Sequence, residues 1–349
     1  MKAKTLLLLA LCVAIPAGAC AQKKKKGKAE AAPAEEPKTE VVTEDCVMYT
    51  SLFHESAKNK QYADAMEPWQ TVYNTCPSYS KNVYLDGEKI IEWKLSTLTA
   101  GTPEFDEWRN KLMKLHDDRI KYFGNDDKYP TSYILGQKAL DHCTYFPEAD
   151  QTAAMEWLRT SIDGQKGNSS PLVVLKLAEV SLQAYKADPA KNVNQYISDY
   201  QLCSDAFQAT ANVARIAYNE VEHKVDAMAD NDPNKAKLTA QLQKEEKKLN
   251  AALGNKNNLD NQFAQSGAAD CSLLDQLFTS LVNENLNNLE NLQKVMKLYR
   301  RVGCTDSETY FAAAEASHKL NPTAESAAGC AAMSKKKGEY KDAIAYYDQ

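Results

Sequence analysis

The chain has 349 residues, of which 44% are hydrophobic, 26% charged and 9% aromatic, with 13 Gly, 12 Pro, 9 Cys and a formal net charge of −5. That length exceeds one ordinary core. The acidic balance argues against a nucleic-acid partner, which needs a basic face, and scarce glycine and proline with abundant Ala, Lys, Leu, Glu, Asn and Gln favour helices.

Met1 to Lys4 is short and basic, Thr5 to Ile15 is almost wholly apolar, and Pro16 to Ala21 supplies small residues. This is the layout of a signal peptide over 1–21, and a basic start does not belong in a core. The apolar run is too short to cross a hydrocarbon layer of about 30 Å, and no later stretch is long enough either, so no membrane span is expected. Two cleavage readings stay open. Ala19-Cys20-Ala21 before Gln22 fits ordinary cleavage, whereas Ala17-Gly18-Ala19-Cys20 resembles a bacterial lipobox with Cys20 as the lipidated residue and the lipid as an anchor. Ordinary cleavage is preferred because Ala17 stands where a lipobox usually has Leu. Losing Lys2 and Lys4 takes the net charge from −5 to −7. Residues 22–44 have no apolar periodicity and are expected to be a disordered tether; the run Lys23 to Lys26 is nearly cancelled by Glu30, Glu35, Glu36, Glu40 and Glu44.

A helix carrying Tyr49, Leu52 and Phe53 is expected next, and after Lys60-Gln61 come Tyr62, Ala65, Trp69, Val72 and the closing Pro77. Further helices are expected at 79–97, 104–123, 130–145, 150–164, 170–187, 190–203, 206–229, 233–253, 271–284, 288–303 and 305–320. Breaks at Gly101-Thr102-Pro103, Tyr129-Pro130, Pro147, Ser170-Pro171, Asp188-Pro189, Asp232-Pro233 and Gly303 separate them, and no stretch alternates as a strand does. Residues 206–253 combine the stripe Val213, Ile216, Ala217, Val221, Val225 and Met228 with a lysine-rich helix. They read either as a hairpin that splits the array or as two overlong repeat helices. Near the end, the face Tyr310, Phe311, Ala314 and Ser317 closes at Leu320-Asn321-Pro322. The small face Ala327, Cys330, Ala331 and Ser334 follows, then the turn Lys337-Gly338-Glu339-Tyr340, then Ala343, Ile344 and Tyr347.

The spacings at both ends resemble the tetratricopeptide repeat (TPR), in which a small residue lets two helices approach and a large one fills the space beside it. Tyr62, Ala65, Trp69 and Pro77 carry the likeness at one end, and Gly338, Tyr340, Ala343 and Tyr347 at the other. It implies an all-α fold: a TPR-like α-solenoid of antiparallel helix pairs, with repeats at 45–205, a long helical hairpin or insert at 206–265 and further repeats at 266–349. The signal peptide, the Lys/Ala/Pro/Glu tether, the cysteine-bearing helices and Gly303-Cys304-Thr305-Asp306-Ser307 ahead of Tyr310-Phe311-Ala312-Ala313-Ala314-Glu315 are together similar to exported TPR proteins of the Gram-negative Bacteroidetes envelope. That group implies a periplasmic or outer-membrane-associated location and partner binding. Because Gln349 stops within a repeat helix, the chain is expected to be a fragment.

Cys46 begins one helix and Cys76 ends the next, so in an antiparallel hairpin they lie at the same end and are expected to pair. Asp270-Cys271 and Cys304 repeat the arrangement. Cys143 and Cys203 each end an expected helix but fall at opposite ends of a stack, and Cys330 lies on a small-residue face as a buried thiol. No metal is expected, since there is no C-x-x-C or H-E-x-x-H and His54, His116, His142, His223 and His318 are scattered. His142 beside Cys143 reads as structural, and Gly164 to Ser170 as a turn capped by Ser169 or Ser170 ahead of Pro171. Nothing fixes the separation of Glu92, Glu104 and Asp106 near Trp93 and Trp108, so no glycosidase pair is assigned. No catalytic or cofactor-binding residue is expected. The expected function is a non-catalytic envelope adaptor binding a peptide or partner protein in a groove, with Tyr49, Phe53, Trp69 and Tyr84 as structural anchors. A carbohydrate- or peptidoglycan-binding protein is the alternative, for which exposed Trp or Tyr on one face would discriminate.

Overall fold

The computed structural model describes residues 43–229 and 232–348, so the expected signal peptide, Cys20 and nearly all of the tether lie outside the described residues. The tether expectation runs two residues too far. Thr43 already caps a helix by accepting from the Cys46 amide, and Glu44 opens it.

Regular structure among the described residues is helical: fourteen α-helices and one short 3-10 turn, Lys166–Asn168. The first seven helices are α1 Glu44–Lys58, α2 Tyr62–Thr75, α3 Asn82–Ser96, α4 Pro103–Phe123, α5 Thr131–Tyr145, α6 Thr152–Gln165 and α7 Pro171–Ala187. The remainder are α8 Pro189–Asp226, α9 Lys235–Ala264, α10 Cys271–Glu284, α11 Leu289–Val302, α12 Glu308–Leu320, α13 Ala324–Lys336 and α14 Tyr340–Tyr347. No helix among the described residues is long and apolar enough to cross a membrane.

Helix starts follow local chemistry. Pro103, Pro171 and Pro189 sit in the first turns of α4, α7 and α8, where a missing N–H costs nothing. Thr102, Asp188, Asp270 and Ser307 accept from backbone amides of the helices they precede, and Thr323 forms a reciprocal cap with Ser326. Ser170 stands at the α7 cap position but makes no side-chain cap. Ser169 instead donates to the Lys166 carbonyl at 2.7 Å, so neither serine caps as expected.

The expected break between 203 and 206 does not exist: α8 runs unbroken for 38 residues, about 57 Å at the helical rise. Ser204-Asp205 looks like a helix start, but both side chains have long-range partners. Ser204 donates to Asp260 of α9 at 3.1 Å, while Asp205 accepts from Arg301 at 2.7 Å and from Lys297, both of α11. The boundary drawn at 205/206 therefore falls inside a helix. α9 likewise continues past the expected stop at 253, because Leu259 and Phe263 bury against α8, with the Phe263 ring 3.8 Å from that of Tyr200 and parallel to it.

Successive helices pack on one another from α1 to α9 and from α10 to α14, and α1 with α3, α5 with α7, α6 with α8, and α10 with α12 also touch. The apolar interior forms two clusters. One joins α1 to α4 around Phe53, Trp69, Tyr84 and Leu112; the other runs from Ala139 of α5 to Cys330 of α13.

Candidate functional site

The repeat-like residues of α2 are core. Ala65 and Trp69 are fully buried, Trp69 Nε1 donates to the Val83 carbonyl at 2.8 Å, and its ring stacks on Tyr73. Tyr62 opens α2 beside Trp93, and the Pro77 carbonyl accepts from Tyr84 Oη at 3.0 Å. Phe53 and Tyr84 are buried, and Tyr49 is half-buried. At the other end Gly338 takes a φ of +78°, which turns the chain into α14. Ala343 is buried, whereas Tyr340, Ile344 and Tyr347 stay outside.

Cys46 and Cys76 are paired with Cα atoms 6.1 Å apart, and Cys271 and Cys304 with Cα atoms 5.5 Å apart. Cys143, Cys203 and Cys330 are free thiols. Cys203 is interior to α8 rather than at a helix end, and it donates to the Val174 carbonyl. Burial pushes the thiols of Cys143, Cys203 and Cys330 up, which opposes the thiolate form. His142 Nδ1 and Cys143 Sγ, although adjacent, both reach Gln151 Oε1.

An apolar hollow lies where α8 and α9 run side by side. Buried residues recur at spacings of three, four and seven along the seam, with Phe207, Ala211, Ala214 and Val221 on α8 and Glu245, Ala252 and Leu259 on α9. Beyond Phe207 the seam turns to alanine, and small side chains cannot fill the space between two helix backbones. The result is a groove of about 470 Å³ lined by Phe207, Val213, Ala214, Ala217, Ala252 and the Glu245–Lys248 pair, with Gly167 and Pro171 at one end. Val213 on its wall is 49% exposed, and Ile216 and Leu172 nearby in sequence are exposed too. α9 carries Lys235, Lys237, Lys244, Lys247, Lys248 and Lys256 against Glu245, Glu246 and Asp260, but of these only Glu245 and Lys248 line the groove, and they pair with each other at 2.9 Å.

A second hollow, of about 380 Å³, is polar and lined by Arg159, Asp199, Asp205, Lys297 and Arg301. Its charges are used in packing. Arg159 grips Asp199 through two nitrogens at 2.7 and 2.9 Å, and Ser181 donates to the same carboxylate.

Between the two apolar cores lies a buried polar layer. His116 of α4 is 1% exposed and meets Asp141 of α5 at 2.6 Å. Lys138 pairs with Asp117, and Arg119 Nη1 stands 3.6 Å from Glu88 Oε2 of α3. Burial pushes the Glu88 carboxyl up, and burial together with Asp141 and Glu88 raises Glu92 to about 7. Of the acids near Trp93 and Trp108, Glu104 pairs with Lys94 and Asp106 with Arg109. Trp69 and Trp108 are buried and Trp93 and Trp157 half-buried, while the exposed Tyr340 and Tyr347 share α14. The sequence reading missed the Glu88–His116–Asp141 convergence because the three residues belong to three helices and no local spacing marks them. It named Val213 and Ala217 as one stripe but had no means of setting them against Ala252.

Compared with family profiles, with curated proteins and with solved structures, the chain matches none.

Proposed function

We propose that this protein is a non-catalytic, TPR-like solenoid scaffold of the bacterial cell envelope that takes a segment of a partner protein into the groove between α8 and α9. The observation that carries the reading is that groove: apolar on its floor, open along one side, with Val213 on its wall about half in water. Support for the solenoid comes from the succession of helices packed mainly on their neighbours in sequence and from the repeat-like spacings at both ends. Support for export comes from the signal-peptide layout and from two cysteine pairs at disulfide distance, which are compatible with an oxidising compartment.

The test places a photo-crosslinking amino acid at Val213 of the full chain in the exporting cell. A discrete crosslinked partner is expected, and it should be lost when Ala214→Asp or Ala252→Asp puts a charge into the groove while helical content is kept. Crosslinking that survives both changes in folded protein would exclude the groove as the docking site. The carbohydrate reading has one observation in its favour, the exposed Tyr340 and Tyr347 on a single helix. Sedimentation with purified peptidoglycan, lost in a Tyr340→Ala/Tyr347→Ala double variant, would select it instead.

A further inference from the structure

Three consecutive helices bring to one point a set of donors that apolar packing does not require. Glu88 of α3, His116 of α4 and Asp141 of α5 each place a ligand-type atom within 4.8 Å of the other two. His116 is almost fully buried, and its Nδ1 has no hydrogen-bond partner among the described residues. Its Nε2, the other ring nitrogen, is the one that meets Asp141 at 2.6 Å and so the one that faces the convergence. Two carboxylates held together at a mostly buried position are costly unless a cation lies between them. Arg119 supplies that charge only loosely. Its contact with Glu88 is 3.6 Å, beyond hydrogen-bond length, and its guanidinium also faces the rings of Tyr129 and Tyr133 at 5.8 Å.

We propose that Glu88, His116 and Asp141 bind one divalent transition-metal ion of the Mn²⁺ to Zn²⁺ series. One imidazole and two carboxylates form a donor set that suits these ions rather than Ca²⁺, which takes oxygen alone, or Cu⁺, which prefers sulfur. Metal–ligand bonds of about 2.0–2.2 Å set neighbouring donors about 3 Å apart. The 2.6 Å separation of His116 and Asp141 then opens slightly as the ion replaces the proton they share, and Glu88 closes from the third helix. The Glu88 side chain is 20% exposed, which gives an ion access from solvent. Glu92, one helical turn along α3, brings a further carboxylate to the same side. Arg119 at one oxygen of Glu88 leaves the other for the ion. The site stands where the α1–α4 core meets the core that begins at α5, so the ion clamps the two together.

The experiment uses the full chain, stripped with a chelator and titrated first with Co²⁺ and then with Zn²⁺. One equivalent of Co²⁺ should bind with a visible d–d absorption that Zn²⁺ displaces, and Tm should rise with either ion. Glu88→Gln, at a partly exposed position that does not threaten folding, should weaken binding by a factor of about ten or more. His116→Gln should abolish it, and Cys143→Ser should leave it unchanged. Absence of a saturable Co²⁺ spectrum in the wild-type chain overturns the proposal. So does a folded Glu88→Gln variant that binds as tightly as wild type, or a thiolate charge-transfer band that disappears with Cys143→Ser.

Discussion

Trp69 and Gly87 are a matched pair. A Cβ at Gly87 would lie 2.5 Å from Trp69 Nε1 and 2.9 Å from Cε2, closer than unbonded atoms approach. The indole cannot retreat easily, being held by its bond to the Val83 carbonyl and by its stack on Tyr73. Alanine has the better helix propensity by about 1 kcal/mol, whereas overpacking costs about 1–3 kcal/mol. Gly87→Ala is therefore expected to destabilise by up to about 2 kcal/mol, read as a lower urea midpoint at constant m-value. A midpoint at or above that of wild type would mean that Trp69 has another place to go.

Between elements, two kinds of fastening act at different ranges. The Cys46–Cys76 and Cys271–Cys304 pairs close loops of 30 and 33 residues, for which the chain-entropy model gives about 3–4 kcal/mol each. Non-reducing peptide mapping should recover both pairs, and Cys46 linked to Cys271 would contradict the fold described. Asp205 is the long-range fastening, tying α8 to Lys297 and Arg301 of α11. Burial pushes its carboxyl up, but the hydrogen bonds from Lys297 and Arg301 outweigh burial and hold it below the ordinary carboxylate range. A depressed folded value means that the unfolded chain binds the proton first as pH falls. The stabilisation is thus complete above the unfolded value of about 3.9 and disappears as pH drops through the folded one. With the side chain 44% exposed, screening reduces it to about 1 kcal/mol. Asp205→Asn should cost that amount at neutral pH, and the two stability curves should converge in acid. A gap that persists at low pH would assign the effect to packing instead of charge.

Across the whole molecule, the polar layer at α3, α4 and α5 divides the apolar interior in two, and hydrogen exchange should register the division. Amides of α1–α4 and of α5–α13 are expected to fall into two cooperative classes when exchange is followed through increasing denaturant. The distal parts of α8 and α9, where Val221 and Glu245 are among the few buried residues, should exchange faster than the stacked base at Tyr200 and Phe263. One common opening energy for both halves would show that the polar layer transmits cooperativity as an apolar core does.

What the sequence by itself determined about this protein is whatever acts within a turn or two of helix. Prolines at first turns and apolar periodicity placed most helices, and the hairpin argument joined Cys46 to Cys76 and Cys271 to Cys304 because each pair spans only two successive helices. Only the tertiary structure decided where local signals compete with distant partners. Ser204-Asp205 reads as a helix start until Asp260, Lys297 and Arg301 engage those side chains, and the helix expected to end at 253 runs on to where Phe263 stacks on Tyr200. The α8–α9 groove and the meeting of Glu88, His116 and Asp141 belong to the same class. Both depend on which faces of separate helices come to oppose each other. Packing of the whole chain sets that, and residue spacing along one helix carries no information about it.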